Sequence, residues 1–249
     1  GVMNTDNMSI AGETIDYGPC AFMDTYHPET VYSSIDHMGR YAYQNQPPIA
    51  HWNRAGLAQA LLPLLSENED EAVEKATAAI NTFPECFKAS YTAGLGRKLG
   101  LSTVDVGDEV LGSDLLERMA RNKADFTLTF RYLSALSQTQ NDADNHVRAL
   151  FEEPAEFDQW ATDWRVRLVQ DGVADSERQD QMRKANPLYI PRNHLVEAAI
   201  RAAEDSDDLA PFNHLVTVLT SPYQQQPGAK AYAEPPRPEQ VVQQTFCGT

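Results

Sequence analysis

A chain of 249 residues with 20 Lys+Arg against 36 Asp+Glu carries a formal net charge of −16 at pH 7, an excess of acid that repels nucleic-acid backbones and anionic lipid alike. Its 42% hydrophobic and 22% charged residues are those of an ordinary globular chain, long enough for one large domain or two small ones, with no apolar run of the roughly 18 residues a spanning helix needs. Three widely spaced cysteines, Cys20, Cys86 and Cys247, exclude a disulfide scaffold and a CxxC zinc site and point to a reducing compartment.

Residues 1–48 are rich in Gly, Asp, Asn, Ser, Tyr and Pro and carry no helical apolar stripe, so they read as loops and short strands. The chain starts at Gly1 inside this motif-dense stretch, without a leading Met or the basic-then-apolar order of a signal peptide, and is expected to be a piece of a longer protein. From Ile49 the texture turns helical, with Trp52, Leu57, Ala58, Leu61, Leu62 and Leu65 at steps of three and four and Pro63 marking the last turn. Further helical patterns are predicted at about 70–82, 84–98, 113–122, 125–137, 144–151, 154–170, 175–185, 193–204 and 208–219. Pro84 suits a first turn, and Ser113, Asp175, Asn193 and Asp207 are the expected N-caps. The acids from Glu67 to Glu74 fit a solvated helix start. The organisation expected is therefore a loop region at 1–48, a helical body at 49–220 and an extended, Pro- and Gln-rich tail at 221–249 lying over the helices.

The chemistry concentrates in GVMNTDNMSIAGETIDYGPCAFMD. Pairing Met8–Ile10 with Thr14–Asp16 across an Ala11-Gly12-Glu13 turn would make a short β-hairpin. That register sets Asp16 opposite Met8 and beside Asn7, so a carboxylate and a carboxamide face one point. These are ligands Mg²⁺ accepts when nucleotide phosphates complete its shell. Asp6 projects elsewhere and is free to act as a base toward a hydroxyl. The pattern follows kinase-type logic, with a catalytic Asp, an Asn on the metal and a second metal-binding Asp before a Gly. Here Asn7 follows Asp6 directly, and Asp16-Tyr17-Gly18 stands where Asp-Phe-Gly would. Asn and Asp also cap turns, and the spacing leaves that reading open for each of the three.

The same segment, with SSIDHMGRYAYQNQPPIAHWN and the later DFTLTFRYLSAL, NPLYIPRNHLVEAAI and FNHLVTVLTSPY, resembles the selenoprotein O family of kinase-fold proteins found in bacteria and mitochondria. The resemblance implies a mainly α, kinase-like C-terminal lobe whose short β-hairpin carries the metal site. It also implies protein adenylylation, in which AMP passes from ATP to a Ser, Thr or Tyr hydroxyl of a protein. Asp6 would be the catalytic base, Asn7 and Asp16 the ligands of Mg²⁺ (Mn²⁺ being the other candidate), and Asp16 would also adjoin the nucleotide. A phosphotransferase using the same set on the γ-phosphate, or a non-catalytic helical interaction module, are the competing readings. The Gly-rich loop, strand Lys and partner Glu of the family's other lobe are not found in this sequence, so the chain taken alone is expected to be inactive. A bacterial cytoplasmic location is expected, or a mitochondrial one in a eukaryote.

Arg40 is expected to be structural, and Arg131 and Arg192 to be paired interior or groove arginines. The histidines show no metal spacing. Trp52, Trp160 and Trp164 are expected in the core and Cys86 on a buried helix face. Cys247 lies near the position where some members of the resembled family carry selenocysteine. A thiol there could pair reversibly with Cys20, four residues beyond Asp16.

Overall fold

The computed structural model describes residues 1–14 and 16–246. Its described part divides into two compact units. The first comprises Gly1–Pro19, Pro28–Tyr91 and residues 244–246, and the second Cys20–His27 and Thr92–Gln243.

In the first unit, Pro47 and Pro48 open α1 (Gln46–Leu65), where their missing amides cost no helical bond, and Pro63 falls in its last turn. Asn68 caps α2 (Glu69–Asn81) by accepting from Glu71 N at 3.0 Å, with Glu69, Asp70 and Glu71 in the first turn. This satisfies an orphan donor and complements the helix dipole. Ala72 and Ala76 are the buried residues of α2, small enough for its close packing on α1. At the start of α3 (Phe83–Leu99), Phe83, Phe87 and Tyr91 stack at helical spacing, with ring centroids 5.9 and 5.8 Å apart. Two packing expectations are corrected here. Trp52 is 56% exposed, its indole lying under the Arg40 guanidinium at 5.0 Å. Cys86 is exposed.

The second unit holds the main core. After α4 (Asp108–Arg121) come α5 (Phe126–Leu133), α6 (Asp144–Arg148), α7 (Pro154–Asp171) and α8 (Asp175–Ala185). They are followed by α9 (Asn193–Ser206), α10 (Ala210–Leu219) and the single turn α11 (Lys230–Ala233). Leu99, Leu115, Met119, Leu133, Leu136, Phe157, Trp160, Trp164 and Met182 are fully buried. The two indoles satisfy their N–H groups on Leu111 O and Leu99 O, each at 2.9 Å. Gly100 adopts φ 78°, and a Cβ there would lie 2.6 Å from Met182 Sδ, so the α3 terminus requires glycine on both counts. Tyr189, Val218 and Ala229 form a smaller cluster, and Gln226 donates to Val218 O at 2.8 Å, which seats the Pro-rich segment on this unit.

The expected β-hairpin is not formed. Among the described residues there is no strand, only an isolated bridge between Thr25 and Asp125. Ile15, part of the expected pairing, lies outside the described residues. Thr5–Asn7 is instead a 3₁₀ turn whose last amide is capped by Asn4, and Ser9–Gly12 is a turn closed by Gly12 N to Ser9 O at 3.2 Å. The physical reason is local: Asn4, Ser9 and Asp16 each accept from a nearby backbone amide, bonds that compete with a ladder. Several caps also shift. Asp175 and Asn193 are the first helical residues behind Ala174 and Arg192. Ser113 lies inside α4, and Asp207 ends α9 at φ 51° instead of starting α10.

Lys98, on the last turn of α3, is largely buried against the Phe130 ring at 5.0 Å and donates to Asn186 Oδ1 at 3.2 Å. Desolvation lowers its ammonium from 10.5 to about 8. Between those values the unfolded chain holds a proton that the folded chain has released, so stability should climb as pH rises from about 8 toward 10.5. Denaturant unfolding at about pH 7.5 and 9.5 should show a gain on the order of 1 kcal/mol in the wild type that Lys98→Met lacks. Equal changes in both proteins would mean that Lys98 titrates as an ordinary lysine.

Candidate functional site

In the first unit, residues drawn from Gly1–Thr14 and Asp16–Gly18 line a cleft of about 870 Å³. Its walls include Val2, Met3, Asp6, Asn7, Met8, Glu13, Asp16, Tyr17 and Phe246. The three residues singled out from the sequence thus line one cavity, although by turns and not by paired strands.

The 3₁₀ turn that carries Asp6 and Asn7 is fixed from within. Asn7 N donates to Asn4 Oδ1 and Asn4 O, both at 3.1 Å, and Asn7 Nδ2 donates to Val2 O at 3.1 Å. With the amide nitrogen committed to Val2, the carboxamide oxygen is the end of Asn7 that points away from that carbonyl. Asp6 is exposed, and its Oδ1 accepts from Thr5 Oγ1 at 3.2 Å, which orients the carboxylate without burying it. Asp16 Oδ1 accepts from Gly18 N at 2.7 Å, an Asx-type turn in which Gly18 takes φ 59°. One carboxylate oxygen is thereby used locally, while Oδ2 has no partner among the described residues.

This donor set suits a hard cation. Mg²⁺ commonly takes one or two protein oxygens and completes its octahedron with phosphates and water. Asn7 and Asp16 offer one carboxamide and one carboxylate to the same cleft. Among the described residues, no group of three His, Cys, Asp or Glu side chains could hold a metal unaided, so substrate oxygens would have to supply the rest.

Two residues at this site were not anticipated. Glu13, assigned above to a turn, adds a third acid to the cleft wall; its place in the same short segment was the available signal. Asn53, on α1, reaches the Asp6–Asn7 turn from 45 to 50 residues away, and nothing in local sequence announces such a contact.

Other candidates are not among the residues that line the cleft. Arg40 lies over the Tyr41 and Trp52 rings at 5.7 and 5.0 Å, a structural placement. Arg131 donates to the carbonyls of Arg183 and Asn186, and Arg192 is buried against Asp24 and Asp125. Cys20 is half-buried at φ 50°, and burial raises its thiol above the ordinary value, which disfavours the nucleophilic thiolate. Its suggested partner Cys247 lies outside the described residues. No described helix is long and apolar enough to cross a membrane.

A family model described as protein adenylyltransferase SelO matches residues 1–220. Relatives include a "Protein nucleotidyltransferase YdiU" of Rhodopseudomonas palustris (strain BisB5), 58% identical over 249 residues. One of the same name from Bradyrhizobium diazoefficiens is 57% identical over 249 residues. Each alignment covers 100% of this chain and 50% of the relative, so the chain spans about half the length of the curated relatives it matches. With a family match that runs through the cleft and most of the helical body, the chain belongs to the SelO family.

Proposed function

We propose that the protein to which this chain belongs transfers AMP from ATP to the hydroxyl of a Ser, Thr or Tyr side chain on a target protein. The observation that carries this reading is the gathering of Asp6, Asn7 and Asp16 on one cleft. Membership of a family described as protein adenylyltransferases supports it.

In this reading the target hydroxyl oxygen attacks the α-phosphorus of ATP. A bond forms from that oxygen to phosphorus, the bond from phosphorus to the bridging oxygen breaks, and pyrophosphate leaves. Asp6, exposed and acceptor-only when ionised, takes the hydroxyl proton and releases it to solvent. Asn7 and Asp16 would hold Mg²⁺ or Mn²⁺, which when bound neutralises charge on the phosphate oxygens. The turn bonds to Asn4, Val2 and Gly18 keep those two side chains oriented before substrate arrives. Asp16 would also border the nucleotide.

The test uses the full-length protein with ATP, a divalent metal and candidate target proteins, read by intact mass. An added adenosine monophosphate on the target is expected. An added phosphate would assign the same residues to γ-phosphoryl transfer, and an unmodified target would favour a binding module. In the same protein, Asp16→Ala should weaken metal-dependent nucleotide binding by at least about 10-fold, the lower bound typical of lost metal partners. Binding that keeps its wild-type metal dependence would remove Asp16 from the site.

A further inference from the structure

Asn53 is 6% exposed in the middle of α1, and its side chain makes contacts at both ends of the catalytic turn. Its Nδ2 donates to Met3 O at 2.8 Å and approaches Met8 Sδ at 2.7 Å. Met3 precedes and Met8 follows the turn Thr5–Asn7. A carbonyl and a thioether are acceptors only, so the amide nitrogen must face them. The carboxamide oxygen, by contrast, is buried with no hydrogen-bond partner among the described residues. Leaving a buried carbonyl oxygen unsatisfied is unfavourable. A residue chosen for α1 stability alone would be apolar here. Among the described residues, the hydrogen bonds of this side chain go to Met3 and Met8, on either side of the turn.

We infer that Asn53 is a positioning residue that holds the Asp6–Asn7 turn in register with the cleft. This rests on the reading of Asp6 as base and Asn7 as metal ligand given above. The turn has one internal cap and projects its functional side chains outward. The two Asn53 contacts tie the segments on either side of the turn to α1. Losing them lets the turn rock, which moves the base and one metal ligand together.

The experiment uses the full-length protein carrying Asn53→Asp, which keeps the shape but removes both donors, and Asn53→Ser, which keeps one hydroxyl donor. Hydrogen exchange of the peptide spanning residues 3–8 should accelerate in Asn53→Asp. Among correctly folded molecules, kcat should fall roughly 10- to 100-fold, the scale of a displaced catalytic group. The metal concentration for half-maximal rate should rise, and KM for the protein target should change little. Asn53→Ser should fall between, and it decides the question alone if Asn53→Asp does not fold. A purely structural role would lower the folded fraction and leave kcat per folded molecule and the metal requirement unchanged, overturning the proposal. Unchanged exchange over residues 3–8 would overturn it regardless of activity. A fully active Asp6→Ala protein would instead retire Asp6 as base, an outcome separable from either result at Asn53.

Discussion

Asp6→Ala in the full-length protein is expected to slow AMP transfer by about 10²- to 10⁴-fold, the range for loss of a positioned general base, while nucleotide binding stays near that of the wild type. Asp6 is exposed, and its one described hydrogen bond is to its neighbour Thr5, so the fold does not depend on it. The cap that holds the turn runs from Asn7 to Asn4 and bypasses Asp6. The side chains of Asn7 and Asp16, which line the same cleft, are untouched by the substitution. Rate and binding should therefore separate. Asp6→Asn is the companion variant: it keeps the volume and one oxygen but is a far weaker proton acceptor, and it should be nearly as slow as alanine. Stopped-flow or mass-resolved initial rates beside an equilibrium binding assay give both quantities. Parallel loss of rate and metal-dependent binding would move Asp6 into the metal shell.

Much of the helical body could be read from the sequence because its signals are local. The period of apolar residues predicts 154–170 and 175–185, where α7 and α8 run Pro154–Asp171 and Asp175–Ala185. Pro154 stands in the first turn of α7. The beginning of α4 escapes the period because its first turn, from Asp108, carries only Val110 and Leu111 before Gly112 and Ser113, too sparse to show one. Asp207 was read as an N-cap, yet it closes α9 in the left-handed region that Asp tolerates. Both roles use the same short polar side chain, so residue type alone does not separate them. The hairpin failed for a related reason: its segment is dense in Asn, Ser, Asp and Gly, which satisfy backbone amides locally and are poor strand formers. Asp6, Asn7 and Asp16 could nevertheless be grouped, since turn geometry within eighteen residues can gather them without a strand. Asn53 could not, because its contacts with Met3 and Met8 are set by how α1 packs. Trp52 and Cys86 show the limit of periodicity at a lone residue: a large or apolar side chain at helical spacing was assigned inward, and both are exposed.

The second large effect is expected at Arg192, where replacement by methionine should cost about 3–5 kcal/mol of unfolding free energy, the scale for breaking a buried ion pair from one side. Arg192 is fully buried. Its Nη1 lies 2.5 Å from both Asp24 Oδ1 and Asp125 Oδ2, and its Nη2 donates to Ala233 O at 3.1 Å. The same guanidinium therefore joins four parts of the second unit: the segment Cys20–His27, the cap of α5, the start of α9 and the end of α11. Neighbouring bonds follow the same path. Asn193 both donates to and accepts from the Phe22 backbone at 2.8 Å, and Phe126 N donates to Asp24 O at 2.8 Å. Burial pushes the Asp125 carboxyl above its ordinary value even with Arg192 present. Without the guanidinium, two carboxylates would share a dry site with no cation, and Asp125 should move further up. A carboxyl whose folded value exceeds its unfolded value gains stability as pH falls through the folded value toward the unfolded one. The deficit of Arg192→Met should accordingly shrink between about pH 7 and pH 5, and adding Asp125→Asn should recover part of it at pH 7. Urea unfolding of the single and double variants across that range measures both effects. A loss under about 1 kcal/mol, or a deficit independent of pH and of Asp125, would mean that water reaches the site and screens the two acids, and that the junction is held by its backbone bonds.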